Sequence, residues 1–327
     1  MTLIDDILEG LHLRSSVFCR MTLSGEWGFA KHALSGAPFH LILSGEAWLL
    51  KAGLDEPLKL CPGDIVVLPG GEPHDLVSKP GCATVSFRQV ADSFGLAPWT
   101  PLTRYKAVDL RFGSGAPTTT LVSGVFAFGD HRRNPLLAAL PSLLLTRAGT
   151  STDLQRTIGV VAALLDAELL SGQPGAETVG GRLADILFVQ IVRHYLASEN
   201  SLPRGWLRGI ADPEIGPALA IMHREANRQW SVAELARERC MSRSRFAARF
   251  QAVVGKGPLE YLTEWRMYQA AGQLGEGRVP LAHLASSVGY QSDVSFSKAF
   301  KRWSGRSPAE YRRWVQTRAA APDSLQA

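Results

Sequence analysis

Cysteine is scarce in this chain and long apolar runs are missing, and both absences narrow what it can be. Its four cysteines, Cys19, Cys61, Cys82 and Cys240, lie far apart in 327 residues with no CxxC pair. Neither a zinc site nor a disulfide framework is indicated, and reduced thiols are expected. No uninterrupted apolar stretch reaches the roughly 18 to 20 residues of a membrane span, and no basic, apolar, small-residue leader opens the chain. The expectation is a cytoplasmic protein without a membrane partner. Gly70-Gly71 and Gly124 to Gly129 lack the strand-to-helix fingerprint of a nucleotide loop, and Ser16, Ser44 and Ser123 sit in no nucleophile-elbow pattern. Disorder has little room either: 46% of residues are apolar and 20% charged, ordinary values for globular protein. Only Ala319 to Ala327 read as untied.

What is present is uneven along the chain. The net charge of +5 hides a partition: residues 1 to 217 hold 18 Lys and Arg against 21 Asp and Glu, whereas residues 218 to 318 hold 17 against 8. Positive charge concentrated in one segment is the electrostatic footprint of a polyanion partner. A solvated basic face would look the same from charge alone.

Texture follows the same division. From Val17 to Phe128 short apolar runs alternate with turn signals, at Phe39 to Glu46, Ala47 to Lys51, Asp64 to Leu68 and Thr84 to Phe87, which predicts a β-barrel or sandwich. From Asp153 to Leu196 the period turns helical, through Ile158, Val161, Leu164, Leu165 and Leu169. A Gly-Gln-Pro-Gly break follows at 172 to 175, and then Leu183, Ile186, Leu187, Ile191 and Tyr195, which predicts a helical hairpin. The fold class is therefore α+β: a β domain over 1–145, a hairpin over 146–200 for dimerisation or coupling, a Gly- and Pro-rich linker over 201–217, and an all-α domain over 218–318.

In that last domain the helices repeat. A helix over Val232 to Arg239, a tight break, the cap Ser242 and a helix to about Val254 recur some fifty residues later as Leu281 to Val288, Gly289, the cap Ser292 and a helix to Trp303. Phe246, Phe250 and Val254 match Phe296, Phe300 and Trp303 on one side, so each pair reads as a helix-turn-helix with an aromatic core. A helix over Leu259 to Leu274, roughly 24 Å long, joins them and can hold two recognition helices about one DNA turn, roughly 34 Å, apart.

These residues resemble the AraC/XylS family of transcriptional regulators. The resemblance is carried by Ala233-Glu-Leu-Ala236, Met241-Ser-Arg-Ser-Arg-Phe246 with Arg249-Phe250, Leu262-Thr-Glu-Trp-Arg-Met267, Leu281-Ala-His-Leu-Ala285, Val288-Gly-Tyr290, Phe296-Ser-Lys-Ala-Phe-Lys301 and Ser307-Pro-Ala-Glu-Tyr-Arg312. It implies a sequence-specific DNA-binding transcription factor, with double-stranded DNA and RNA polymerase as partners. By position, DNA would meet Arg243, Ser244, Arg245, Ala247, Ala248 and Arg249 on the first recognition helix. On the second it would meet Asp293, Val294, Ser295, Ser297, Lys298 and Lys301. The alanines offer only apolar contact, while the cations, Arg302 included, suit phosphate before base edges. Cys240 stands where the family usually has glycine, at a cost of roughly 1 to 2 kcal/mol if the backbone there is left-handed.

The N-terminal region resembles a cupin. Gly63-Asp-Ile-Val-Val-Leu-Pro69-Gly-Gly71-Glu-Pro-His74 meets every defined position of the second cupin motif, but the first motif has decayed: Pro38 stands at its Glu position, and His32 and Leu34 at its paired His positions. Strand alternation sends His40 to the same face as Pro38, toward His74. His40 and His74 are thus candidate effector ligands. A weak metal site with His32 and a pair of satisfied interior histidines are the alternatives, and no cofactor is otherwise called for. The expected protein is a cytoplasmic regulator, not an enzyme, that senses a small molecule in the cupin and acts at promoters, with the sign of regulation left open and a homodimer as one candidate assembly. Its rivals are a metal-dependent cupin oxygenase or isomerase fused to a DNA-binding module, and a sequence-indifferent architectural DNA binder.

Overall fold

The structure, a computed structural model, describes residues 13–96, 107–128, 139–148, 153–197, 205–276 and 279–320. The start of the linker (201–204) and the last residues of the tail lie outside them. Contacts divide the chain into two units, one holding Leu13–Arg132 and Leu140–Ala197, the other Ser198–Ala321.

The first unit contains β1 (Arg14–Ser24), β2 (Gly28–Lys31), β3 (Ala37–Ser44), β4 (Ala47–Leu50), β5 (Leu58–Leu60), β6 (Ile65–Val67), β7 (His74–Val77), β8 (Val85–Ser86), α1 (Phe87–Ser93), β9 (Val108–Phe112), β10 (Pro117–Ala127) and β11 (Leu144–Thr146). They form a six-stranded sheet, β11-β6-β3-β10-β1-β9, and a five-stranded sheet, β5-β4-β7-β2-β8. The expected barrel is thus two cupin-like sheets, not one closed ring. Between them lie Cys19, Met21, Leu23, Phe29, Ile42, Leu49, Leu76 and Leu121. Cys19, and not Cys61 or Cys82, is the fully buried cysteine.

The outer face of the larger sheet is also covered. Helices α2 (Asp153–Ser171) and α3 (Ala176–Ala197) form the hairpin, broken at the foreseen glycines. On β3 and β10, residues of one parity face the hairpin: Phe39 stacks on Phe126 at 4.5 Å, and Phe126 and Phe128 meet Phe188 of α3 at 5.0 and 5.1 Å. Residues of the other parity, His40 and Ser123, point inward. Polar ties hold the hairpin: Arg20 Nε donates to Asp166 Oδ1 at 2.7 Å and Ser15 N to Asp185 Oδ1 at 3.0 Å. Sheet burial on both faces explains why β3 is apolar without alternation. Leu164 and Ile186 are 52% and 45% exposed and, with Val160 and Val179, make an outward apolar stripe.

The second unit begins inside the stretch read as a linker. Helix α4 (Trp206–Ala211) precedes α5 (Gly216–Arg224), α6 (Val232–Glu238), α7 (Arg243–Val254), α8 (Pro258–Glu276), α9 (Leu281–Ser287), α10 (Asp293–Ser304) and α11 (Pro308–Ala320). The repeat is carried by local chemistry. Ser242 and Ser292 accept from the backbone N–H of Arg245 and Ser295, and α7 and α10 end on left-handed Gly255 and Gly305. Pro258 and Pro308 then open α8 and α11. Phe246, Phe250, Phe296 and Phe300 are all fully buried.

The turns inside the two helix-turn-helix units solve one problem with different residues. Cys240 at φ +51 and Gly289 at φ +81 each close the preceding helix in a left-handed conformation. At Gly289 a Cβ would also fall 2.5 Å from the Asn227 carbonyl oxygen. The Asn227 segment is itself anchored by α8, since Arg266 donates through Nε to the Ala226 carbonyl at 2.6 Å and through Nη2 to that of Arg228 at 2.7 Å. The two helix-turn-helix units therefore share a packed seam.

Candidate functional site

Two places carry chemistry, one in each unit. On α10, Phe296, Ala299 and Phe300 are buried, which turns the opposite arc outward. Val294, Lys298 and Lys301 fall within about 60° of one another on that arc at 100° per residue. They line a shallow depression with Asp293, Ser297 and Ser307. Val294 is 62% exposed, which leaves its methyl groups open to an apolar contact. Asp293 and Ser295 are exposed at the first turn, and Arg302 lies exposed on one flank.

The first recognition helix differs. Arg243, Ser244 and Ala248 are exposed, Ala247 partly so. Arg245 and Arg249, placed by sequence among the DNA contacts, are engaged within the protein. Arg245 Nη2 reaches Glu214 Oε1 at 2.5 Å, and Arg249 reaches Asp212 Oδ2 at 2.6 Å and Glu214 Oε2 at 3.4 Å. Sequence reasoning gave Asp212 and Glu214 no role. They stand about thirty residues ahead of α7, so nothing in the sequence joins them to it.

The interior of the sandwich brings His40 of β3 and His74 of β7 together from opposite sheets. Both are almost completely buried. His74 Nδ1 lies 3.0 Å from the Glu72 carbonyl, to which it must donate, which leaves its Nε2 to accept from His40 Nε2–H at 2.8 Å. His40 Nδ1 then accepts from the Ser123 hydroxyl at 2.7 Å. Burial, with Lys31 and His74 adding to it, holds His40 well below its ordinary range. Burial pulls His74 down to about 4 against the opposing pull of the Glu72 carbonyl. The pair is neutral at pH 7. Gly71 closes the motif just before it, at φ +68, where a Cβ would fall 2.1 Å from the Leu34 carbonyl oxygen.

This arrangement does not fit the cupin metal. Two nitrogens at about 2.1 Å from a tetrahedral ion sit roughly 3.4 Å apart, whereas these two share a proton at 2.8 Å. His32 does not join them: it is exposed, with Nε2 3.3 Å from Ser86 Oγ. Among the described residues no group of three or more His, Cys, Asp or Glu is placed to hold a metal. Lys31, which sequence reasoning passed over, pairs with His74 in the β2–β7 register. Its ammonium lies 3.6 Å from the centre of the Phe87 ring, and burial lowers it to about 8.

Comparison with known proteins agrees with both halves. A cupin family profile matches residues 3–197, and a helix-turn-helix domain profile matches residues 235–313. An AraC-like transcription regulator of Streptomyces antibioticus is 36% identical over 95% of this chain and 98% of its own length. One of Streptomyces lividans is 35% identical over 95% and 97%. The regulator AlkR of Acinetobacter baylyi is 32% identical over 95% and 99%. With a cupin unit, a duplicated helix-turn-helix and full-length relatives of this kind, the chain belongs to the AraC-type transcription regulators.

Proposed function

We propose that this regulator reads its DNA mainly through α10, with α7 supplying affinity, and that the cupin unit sets when it does so. As an AraC-type regulator it binds double-stranded DNA; the assignment of residues is ours. The observation that carries it is the asymmetry of the two recognition helices. The outward arc of α10 presents Val294, Lys298 and Lys301, while the equivalent positions on α7, fifty residues earlier, hold Ser244, Ala248 and Gln251. Sequence choice needs side chains that reach base edges, and alanine reaches little.

The effector is a small polar or anionic molecule taken up at His40 and His74, with Lys31 supplying positive charge. A ligand group entering there has to replace the hydrogen bond that joins the two sheets, so its arrival is felt by both. The outward stripe of Val160, Leu164, Val179 and Ile186 supports pairing of two copies through the hairpin. Contact with RNA polymerase and a cytoplasmic setting belong to the same reading. No observation favours an enzymatic reading of the cupin.

Lys298→Ala tests the DNA assignment. In the full chain it should lower the slope of log binding constant against log salt by about one if Lys298 contacts a phosphate. Binding unchanged at every salt concentration would remove Lys298 from the interface. Chromatin immunoprecipitation identifies the promoters.

A further inference from the structure

The acidic turn between α4 and α5 lies against the flank of the first recognition helix, and its two carboxylates have unequal freedom. Asp212 fastens the turn that leads into α5: its Oδ1 accepts from the backbone N–H of Glu214 at 2.9 Å and of Ile215 at 3.0 Å, while Oδ2 takes Arg249. Its side chain is only 8% exposed. With one oxygen fixed by the turn backbone, Asp212 holds its other oxygen in place for Arg249. Glu214 is otherwise placed, for its side chain is 37% exposed and that of its partner Arg245 66%. An exposed pair of this kind adds little stability and exchanges readily.

Position on the helix separates the two arginines further. With Phe246 and Phe250 facing the core, Arg245 lies about 60° around the helix from Ala248, and Arg249 about 100°. When Ala247 and Ala248 face a major groove, Arg245 is the one that borders the phosphate wall. The second unit has no counterpart, since the equivalent positions are Ser295 and Ala299.

We propose that Glu214 is an internal substitute for DNA phosphate: it competes with the duplex for Arg245, while Asp212 and Arg249 form a brace that positions α7 without touching DNA. The inference rests on the DNA-binding reading above and adds a control to it. The turn directly follows α4, the first described helix after the cupin unit in the chain. A change that shifts this turn alters how much of Arg245 is available, and hence affinity, without altering any base contact.

Fluorescence anisotropy of the full chain on a mixed-sequence duplex of about four helical turns, titrated with salt, decides it. Glu214→Gln should tighten binding about three- to tenfold at low salt and steepen the salt slope by up to about one. Arg245→Gln should lower the slope, and the double variant should match Arg245→Gln alone. Glu238→Gln, which removes an exposed carboxylate of α6, controls for general charge and should change affinity less than about twofold. A Glu214→Gln affinity equal to wild type or to the Glu238→Gln control overturns the competition, as does a gain that survives in the double variant. For the brace, Asp212→Asn keeps the bonds to the turn backbone and frees Arg249: a lower melting temperature with an unchanged slope is expected, and a steeper slope overturns it. Should the wild type bind no duplex at all, the DNA reading itself falls, an outcome distinct from a wild type that binds and a variant that does not differ.

Discussion

Cys240 occupies the one left-handed non-glycine position among the described residues, and its side chain is exposed. Nothing in the packing repays the strain, so Cys240→Gly should stabilise the helical unit by about 1 kcal/mol, read as a rise in its melting temperature. A fall would mean that the thiol makes a contact the geometry does not show. The histidine pair makes a second claim at this scale. His40 and His74 are both held below their ordinary value of 6.5, His74 at about 4. Between pH 6.5 and about 4 the unfolded chain therefore binds protons that the folded chain refuses. Stability of the sheet unit is complete above about pH 6.5 and is lost as pH falls toward 4, by on the order of 3 kcal/mol for His74. Urea midpoints at neutral and mildly acidic pH should show the loss. A His40→Gln, His74→Gln double variant should show a shallower one, and an equal dependence would refute the assignment.

Elements are set by caps and aromatic faces. Phe300 lies at the centre of the second helix-turn-helix, against Phe296, Trp303 and Tyr311 at ring distances of 5.6, 5.7 and 5.3 Å. Phe300→Ala should cost about 3 to 5 kcal/mol, and an unaltered thermal transition would contradict its place in the core. Much of this level was legible in the sequence. Ser242, Ser292, Gly255, Gly305 and the Gly-Gln-Pro-Gly break act on neighbours a few residues away, so their consequences follow from local backbone rules. The joining helix proved slightly longer than foreseen, Pro258–Glu276, by the proline at its first position and by two residues at its end. Periodicity was less informative for the hairpin. It marked Leu164 and Ile186 as apolar and helical but not as outward, since a helix with two apolar stripes does not say which one its neighbours cover.

For the whole molecule, that outward stripe has a measurable consequence. A Leu164→Glu, Ile186→Glu variant should sediment as a monomer where the wild type forms a dimer, and identical sedimentation would dismiss the hairpin as the pairing surface. The sequence by itself determined the division of charge, the order of β and helical regions, the duplicated helix-turn-helix and the meeting of His40 with His74. The first three rest on composition or on a period, and the meeting of the histidines on the resemblance to a cupin together with the parity of a strand. Only the tertiary structure decided that the cupin sheets stay two, that His32 points away from its supposed partners, and that Arg245 and Arg249 are already held by carboxylates. Those outcomes depend on which surfaces pack together. A basic residue on a helix reads alike in sequence whether its neighbour in space is solvent, DNA or, as with Arg249, a buried aspartate in the turn between two other helices.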